Sequence, residues 1–313
     1  MLSQPQLETA AAVIQRFIAP SPQIAWPLLA RRAGVDIVVK HENHLPTGAF
    51  KVRGGLVYAS RLQGSPRGLI SATRGNHGQS LAFAGQCFGI PVTIVVPLGN
   101  SREKNAAMRA YGATLVEHGA DFEAAREEAF RLAAERGLIF VPSFAPDLVH
   151  GVATYALELF TAHPDLDTVY VPIGLGSGIC ATILVRDLLG LRTRIVGVES
   201  TGADCYARSF AAGAVVVGNR ADTKADGIAV RQPDPEALRI ILAGAERVVT
   251  VSDAQIGEAI RAYWTDTHNL VEGAGAAPLA ALLQEAESMR GRKVGLIASG
   301  GNIDLDLFRS WIS

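Results

Sequence analysis

The chain has 313 residues, 49% hydrophobic and 19% charged, which is enough for a large core and, by length, for two domains. Its 29 basic and 30 acidic residues leave a formal net charge of -1 with no long basic run. The electrostatic footprint of a nucleic-acid binder is missing, so a small-molecule substrate and no nucleic-acid partner are expected.

The start, Met1-Leu2-Ser3-Gln4-Pro5-Gln6, lacks the basic-then-apolar order of a secretory signal, and no uninterrupted apolar stretch is long enough to span a bilayer. A cytoplasmic protein with no membrane partner is expected. In chain order, β-branched runs predict strands at Asp36–Lys40, Leu69–Ala72, Val92–Val96, Thr114–Glu117, Phe140–Pro142, Val169–Pro172, Ile195–Val198, Val248–Val251 and Val294–Ala298. Amphipathic, often Ala-rich stretches between them predict helices that include Gln79–Phe88, Arg102–Tyr111, Phe122–Glu135, Val149–Thr161 and Ala254–His268. This alternation, with strands apolar on both faces, predicts an α/β fold of mostly parallel sheets flanked by helices. The stretch 219–235 is the longest irregular segment. Cys87, Cys180 and Cys205 show neither metal-ligand nor disulfide spacing and read as small apolar residues of a reducing compartment.

In open α/β sheets ligands bind beyond the carboxyl ends of the strands, and the motifs fall there. Lys51 follows the first strand in Pro46-Thr47-Gly48-Ala49-Phe50-Lys51-Val52-Arg53-Gly54-Gly55, between two apolar side chains. Desolvation disfavours the charged ammonium, and a neutral amine is a nucleophile able to form a Schiff base. Thr73-Arg74-Gly75-Asn76-His77-Gly78-Gln79 follows a strand and opens a helix, with Asn76 as a donor for a ring oxygen and helix-start N–H groups for a carboxylate. Gly174-Leu175-Gly176-Ser177-Gly178 occupies the same kind of turn and reads as a phosphate cup. It lacks both the Lys-Ser/Thr ending of a nucleoside-triphosphate loop and the spacing of a dinucleotide fingerprint, so a nucleotide-binding module is disfavoured. Ser299-Gly300-Gly301-Asn302 sets a hydroxyl where it can meet a pyridine nitrogen. A lysine, a phosphate cup, an amide and a hydroxyl together describe one ligand, pyridoxal 5′-phosphate.

On these motifs, together with Ala225-Asp226-Gly227, the chain resembles the tryptophan-synthase-β-like superfamily of pyridoxal-phosphate enzymes (fold type II), nearest to its threonine/serine dehydratase and serine racemase branch. The resemblance runs from Val39 to Asp304. It implies two α/β domains, a small substrate-closing one at 67–145 and a larger cofactor-binding one from 1–66 and 146–313, with the cofactor in the cleft. By position, Lys51 resembles the Schiff-base lysine, Phe50 the residue beside the cofactor, and Asn76 the ligand of its ring oxygen. Gly174, Leu175, Gly176, Ser177 and Gly178 resemble the phosphate loop, Ser299 the partner of the pyridine nitrogen, and Gly227 a residue lining the ring. Thr73, Asn76 and His77 lie where the branch binds the substrate carboxylate, and Glu272 matches a Glu-containing turn near its active site. A homodimer is also implied.

The departures are informative. Members that racemise carry a serine as acid/base where this chain has Arg74, and a guanidinium is a poor base, so racemisation is not expected. Arg74 is instead available for a charge-assisted contact with a carboxylate or phosphate, or for a structural ion pair facing away. Leu175 and Ser177 replace two glycines of the commonest dehydratase loop. Glu199-Ser200-Thr201-Gly202-Ala203-Asp204 resembles, one residue shorter, a segment that in some members holds a divalent or monovalent cation, with Glu199, the Ala203 carbonyl and Asp204 as oxygen ligands.

The activity implied is dehydration of a 3-hydroxy-L-amino acid. Lys51 removes the α-proton, the β-hydroxyl leaves as water, and hydrolysis yields a 2-oxo acid and ammonium. Threonine and serine are the default substrates; 3-phenylserine, 3-hydroxyaspartate and hydroxyectoine-derived amino acids are alternatives. A β-replacement synthase and a binding protein without turnover stay open. The chain ends at Ser313, soon after the last motif, so inhibition by end-product amino acids is not expected and a catabolic role is.

Overall fold

The computed structural model describes residues 2–62, 67–218 and 221–313. Ten strands form two sheets: β1 (Gln23–Ile24), β2 (Asp36–His41), β3 (Leu69–Ala72), β4 (Val92–Val96), β5 (Thr114–Glu117), β6 (Ile139–Phe140), β7 (Thr168–Pro172), β8 (Arg194–Ser200), β9 (Arg247–Val251) and β10 (Lys293–Ala298). The six-stranded sheet runs β1-β2-β10-β7-β8-β9 and the four-stranded sheet β5-β4-β3-β6. Every pairing is parallel except the short edge pair β1–β2. The fold is therefore two parallel-sheet domains flanked by helices, and the parallel register turns all the central strand ends of each sheet the same way.

The apolar strands are buried as their composition demands: β2 from Ile37 onward, β3, β7 and most of β10 have no exposed residue. Three strands lie where the sequence puts them, residue for residue: β3, β4 and β5. The strand expected at Phe140–Pro142 is instead Ile139–Phe140, because Pro142 has no N–H for the ladder. β1 was not foreseen, since two residues carry no period. The helix expected from Gln79 begins at Asn76 and the one from Val149 at Pro146, a proline at the first helical turn. The irregular stretch expected from Asn219 starts on residues outside those described. From Ala221 on it holds a short 3-10 turn at Asp226–Ile228 and helix Pro235–Gly244.

Helix Lys51–Ser60 packs between helices Asn76–Phe88 and Pro146–Ala162. Its Gly54 lets the backbones approach closely: a Cβ there would sit 2.9 Å from the Leu148 carbonyl oxygen. Lys51, the first residue of this helix, is thus held by a backbone packed on two sides. No helix among the described residues is long and apolar enough to cross a membrane. Cys180 and Cys205 are buried, and all three cysteines are free thiols.

Candidate active site

The motif-bearing loops converge on the start of helix Lys51–Ser60. The Phe50 N–H donates to the Ser299 carbonyl (3.0 Å), and Ala49 bridges to Gly300. The loop after β10 is therefore stitched to the residues just before Lys51. On the other side, the Tyr155 hydroxyl donates to the Gly178 carbonyl (2.8 Å) while its ring meets Phe50 edge-on at 6.2 Å. A Cβ on Gly178 would lie 3.8 Å from the Phe50 ring, so the Gly-rich turn after β7 abuts the same aromatic.

That turn has the geometry of an anion cup. Gly176 takes φ of +100°, a left-handed conformation that suits glycine, and caps helix Ser177–Leu188. The first N–H of this helix to bond back is that of Cys180, to the Gly176 carbonyl (2.9 Å). The first-turn N–H groups have no intrahelical acceptor and face outward with the positive end of the helix dipole. Gly174 packs on Gly227, where a Cβ would come within 2.5 Å of the Gly227 carbonyl oxygen, so both glycines belong to the wall of the cleft. The Leu175 carbonyl accepts from the Tyr206 hydroxyl (3.0 Å), which ties the turn to helix Cys205–Ala212.

Lys51 is partly buried and its amine makes no hydrogen bond among the described residues; it lies 5.3 Å from the Phe50 ring centre. Burial pushes its ammonium down to about 8, against an opposing pull from Glu272. The Ser299 side chain is likewise buried with no hydrogen-bond partner among the described residues. His77 is buried, its imidazole faces the Val141 backbone, and Nε2 has no partner. Burial and the Lys51 charge push its pKa down to about 3, so the ring is neutral. With its other nitrogen turned to the Val141 carbonyl, Nε2 presents a lone pair. It can accept from an O–H or N–H donor.

An uncommitted amine, an uncommitted hydroxyl, an orphaned imidazole nitrogen and an N–H cup within one cleft are donor and acceptor types that fit pyridoxal 5′-phosphate. Asn76, by contrast, is engaged. Its Nδ2 donates to Glu272 Oε1 (2.7 Å) and its Oδ1 accepts from Asn302 Nδ2 (2.9 Å). The Thr73 hydroxyl accepts from the Gly75 N–H (3.1 Å) and closes the turn that starts this helix.

Two groups of residues stand apart. Arg74 is exposed, and among the described residues its guanidinium forms no ion pair; only its carbonyl is used, by Asn100 Nδ2 (3.2 Å). Glu199 is fully buried, and its carboxylate accepts the Tyr206 N–H (3.1 Å) and the Ala207 N–H (2.7 Å) at the start of helix Cys205–Ala212. Asp204 lies 4.0 Å from Arg208, and the Ala203 N–H bonds to Ser200. Among the described residues no group of three or more His, Cys, Asp or Glu side chains could hold a metal ion.

The sequence also passed over residues that the structure brings in. Lys104 is buried and pairs with Asp226 (2.5 Å) and Glu272 (3.5 Å). Burial pushes Glu272 up to about 6, against the pull of Lys104 and with the push of Asp226. Asp226 was visible inside the Ala-Asp-Gly motif, but its partner lies 122 positions away.

A protein-family model described as "Pyridoxal-phosphate dependent enzyme" matches residues 14–300. The chain is 38% identical to the L-threonine ammonia-lyase of Geobacter sulfurreducens over 88% of this chain and 69% of that one. It is 34% identical to the beta-hydroxyaspartate dehydratase of Paracoccus denitrificans over 94% of each. Among solved structures, maize serine racemase superposes with a TM-score of 0.93 at 28% identity, covering 98% of this chain and 96% of that one.

Proposed function

The chain belongs to the pyridoxal-phosphate dependent enzyme family, and from that premise we propose that it is an ammonia-lyase that dehydrates a 3-hydroxy amino acid to a 2-oxo acid and ammonium. The observation that carries this reading is the Lys51 amine, lowered to about 8, in one cleft with the Ser299 hydroxyl and the N–H cup, neither side chain hydrogen-bonded among the described residues. Support also comes from relatives named as ammonia-lyases and dehydratases.

Lys51 would hold the cofactor through its amine and the turn from Gly174 to Gly178 would hold the phosphate. Ser299 would meet the ring nitrogen, Asn76 the ring oxygen, and Phe50 and Gly227 the flanks of the ring. When bound, pyridoxal 5′-phosphate supplies the electron sink that makes the substrate α-proton acidic. Once the substrate's amine has displaced it from the cofactor, the freed Lys51 Nζ would take that proton, which its lowered pKa as a free amine permits near neutral pH. Thr73 and the N–H groups at the start of helix Asn76–Phe88 orient the substrate carboxylate. The neutral His77 Nε2 accepts a hydrogen bond from a substrate donor. Ser299, a hydroxyl and not a carboxylate, would leave the ring nitrogen largely uncharged, which would favour prompt loss of the β-hydroxyl as water.

We place the four-stranded domain at 67–145 and the six-stranded one at 1–66 and 146–313. We further propose a cytoplasmic protein working in amino-acid catabolism and, from the family resemblance, a homodimer, which light scattering on the purified protein tests. A hard cation beside Glu199, the Ala203 carbonyl and Asp204 belongs to the same reading. Its support is that burial lifts Glu199 to about 8, with Asp204 adding to the rise and no cationic side chain among the causes. Magnesium or calcium should then raise the melting temperature of chelator-treated protein, and E199Q should remove the response.

The deciding experiment incubates cofactor-loaded protein with single stereoisomers of threonine, serine, 3-phenylserine and 3-hydroxyaspartate and measures 2-oxo acid and ammonium. Release that disappears in Lys51→Ala supports the reading; no release from any of them overturns it. Arg74, exposed and without an ion pair among the described residues, favours the acidic 3-hydroxyaspartate as a second substrate reading. A loss of activity in Arg74→Ala confined to that substrate would single it out.

A further inference from the structure

Lys104 belongs to helix Arg102–Ala110 of the four-stranded domain, yet its amine is buried in the other domain's charge. Its Nζ lies 2.5 Å from Asp226 Oδ2 and 3.5 Å from Glu272 Oε2. Among the described residues it is the one lysine or arginine within ion-pair distance of either carboxylate. The same helix start is fastened to the far domain at two further points. Glu103 Oε1 accepts the Leu305 N–H (2.9 Å), and Ser101 Oγ donates to Asp304 Oδ1 (2.5 Å). A cavity of about 90 Å³ lies at this seam, lined by Lys104, Asp226, Glu272, Lys224, Asn302 and Asp304 among others.

Glu272 links the seam to the chemistry. One of its oxygens faces Lys104 while the other accepts from Asn76 Nδ2 (2.7 Å). The charged groups acting on it are Lys104 from the four-stranded domain and Asp226 and Lys51 from the other, and Lys224 and Asp304 share its cavity. A buried carboxylate that loses its cation takes up a proton more readily, because the Asn76 hydrogen bond that remains is a smaller offset to desolvation than the lost charge. A proton on the oxygen that faced Lys104 leaves the other oxygen an uncharged, weaker acceptor for Asn76 Nδ2, and the amide is held less firmly.

We propose that Lys104 is a positioning residue: when the four-stranded domain seats against the six-stranded one, Lys104 keeps Glu272 ionised and thereby keeps Asn76 oriented beside Lys51. The proposal rests on the lyase reading above for its kinetic test but not for its thermal one. Holding the acceptor through an ion pair that crosses the seam makes the site complete only when the domains are packed together.

The experiment compares wild-type holoenzyme with K104M, K104R, E272Q and K104M/E272Q. In K104M the acid limb of the kcat/KM profile should move up by about one pH unit or more, the size expected for losing one close opposite charge. K104R should restore it. In K104M/E272Q the shifted limb should vanish, since a glutamine cannot titrate, and activity should recover relative to K104M. The second readout is melting of the apoprotein. The gap between wild type and K104M should widen as pH rises and the carboxylate ionises without its partner, and E272Q should narrow it. Should K104M not yield folded protein, K104Q carries both readouts. An unmoved acid limb, or a melting gap that ignores pH, overturns the proposal. Absence of 2-oxo acid from the wild type would instead sink the lyase reading, and the melting comparison would still decide the role of Lys104.

Discussion

Lys51 and Arg53 are two positions apart on one helix, yet they enter opposite electrostatic settings. Arg53 is completely buried and saturated. Its guanidinium donates to Glu42 (2.8 and 3.0 Å), to Glu158 (2.7 and 2.9 Å) and to the Thr154 hydroxyl (3.0 Å). Lys40 completes the cluster by pairing with Glu158 and donating to the Ser21 carbonyl (3.0 Å). Burial alone would pull Arg53 down, but the two carboxylates hold it above its usual value, and Glu158 is held below its own despite burial. Around Lys51 the balance is reversed: burial wins, and Lys51 and Glu272 are both shifted toward neutrality. The first cluster locks the helix; the second is left able to exchange protons. Directional, fully satisfied hydrogen bonds make the difference, since both clusters are buried and both mix cations with carboxylates.

The largest effect that would test this contrast is at Lys51. Lys51→Ala should cut 2-oxo acid release by about 10³-fold or more, as expected for a lost acid/base group, while leaving the melting temperature near wild type. Arg53→Met should do the reverse in kind: about 3–5 kcal/mol of unfolding free energy lost in urea titrations, because two carboxylates are left buried without their guanidinium. Equal stability losses in both variants would break the distinction.

The pH response should separate the clusters next. Glu158 has a lowered pKa in the folded state, so its contribution is present above the ordinary carboxylate value and is lost as pH falls. Glu272 is raised to about 6 from 4.5, so the folded state binds its proton more tightly and the associated stability fades as pH rises through that window. E158Q should flatten stability on the acid side, and E272Q should flatten it between 4.5 and about 6. Separately, the apoprotein should capture pyridoxal 5′-phosphate faster as pH rises through about 8, where the Lys51 amine loses its proton. The smallest effect belongs to the rim of the rigid cluster. Thr154→Val removes one hydrogen bond to Arg53 and should cost about 1 kcal/mol with no change in the pH–rate profile.

The α/β class, the positions of most strands and the strand-end location of every motif were legible in the sequence, because buried parallel strands need continuous β-branched runs and phosphate-binding turns need glycine. Lys51 stood out for the same local reason, flanked by Phe50 and Val52. Lys104 did not: in Ser-Arg-Glu-Lys-Asn-Ala-Ala it reads as a solvated residue at the start of a charged helix. Its partners Asp226 and Glu272 are 122 and 168 positions away, and no local pattern encodes such a pairing. Arg74, which in the sequence was open to a charge contact in the site or an ion pair facing away, stands exposed, and Glu199 accepts helix N–H groups on both oxygens. The chain's composition and periodicity thus determined most of the elements that form and where Lys51 sits. Only tertiary packing decided which buried charges face one another, and so which amine and which carboxylate are shifted toward neutral pH, because desolvation and Coulomb partners are set by distances in space, not along the chain.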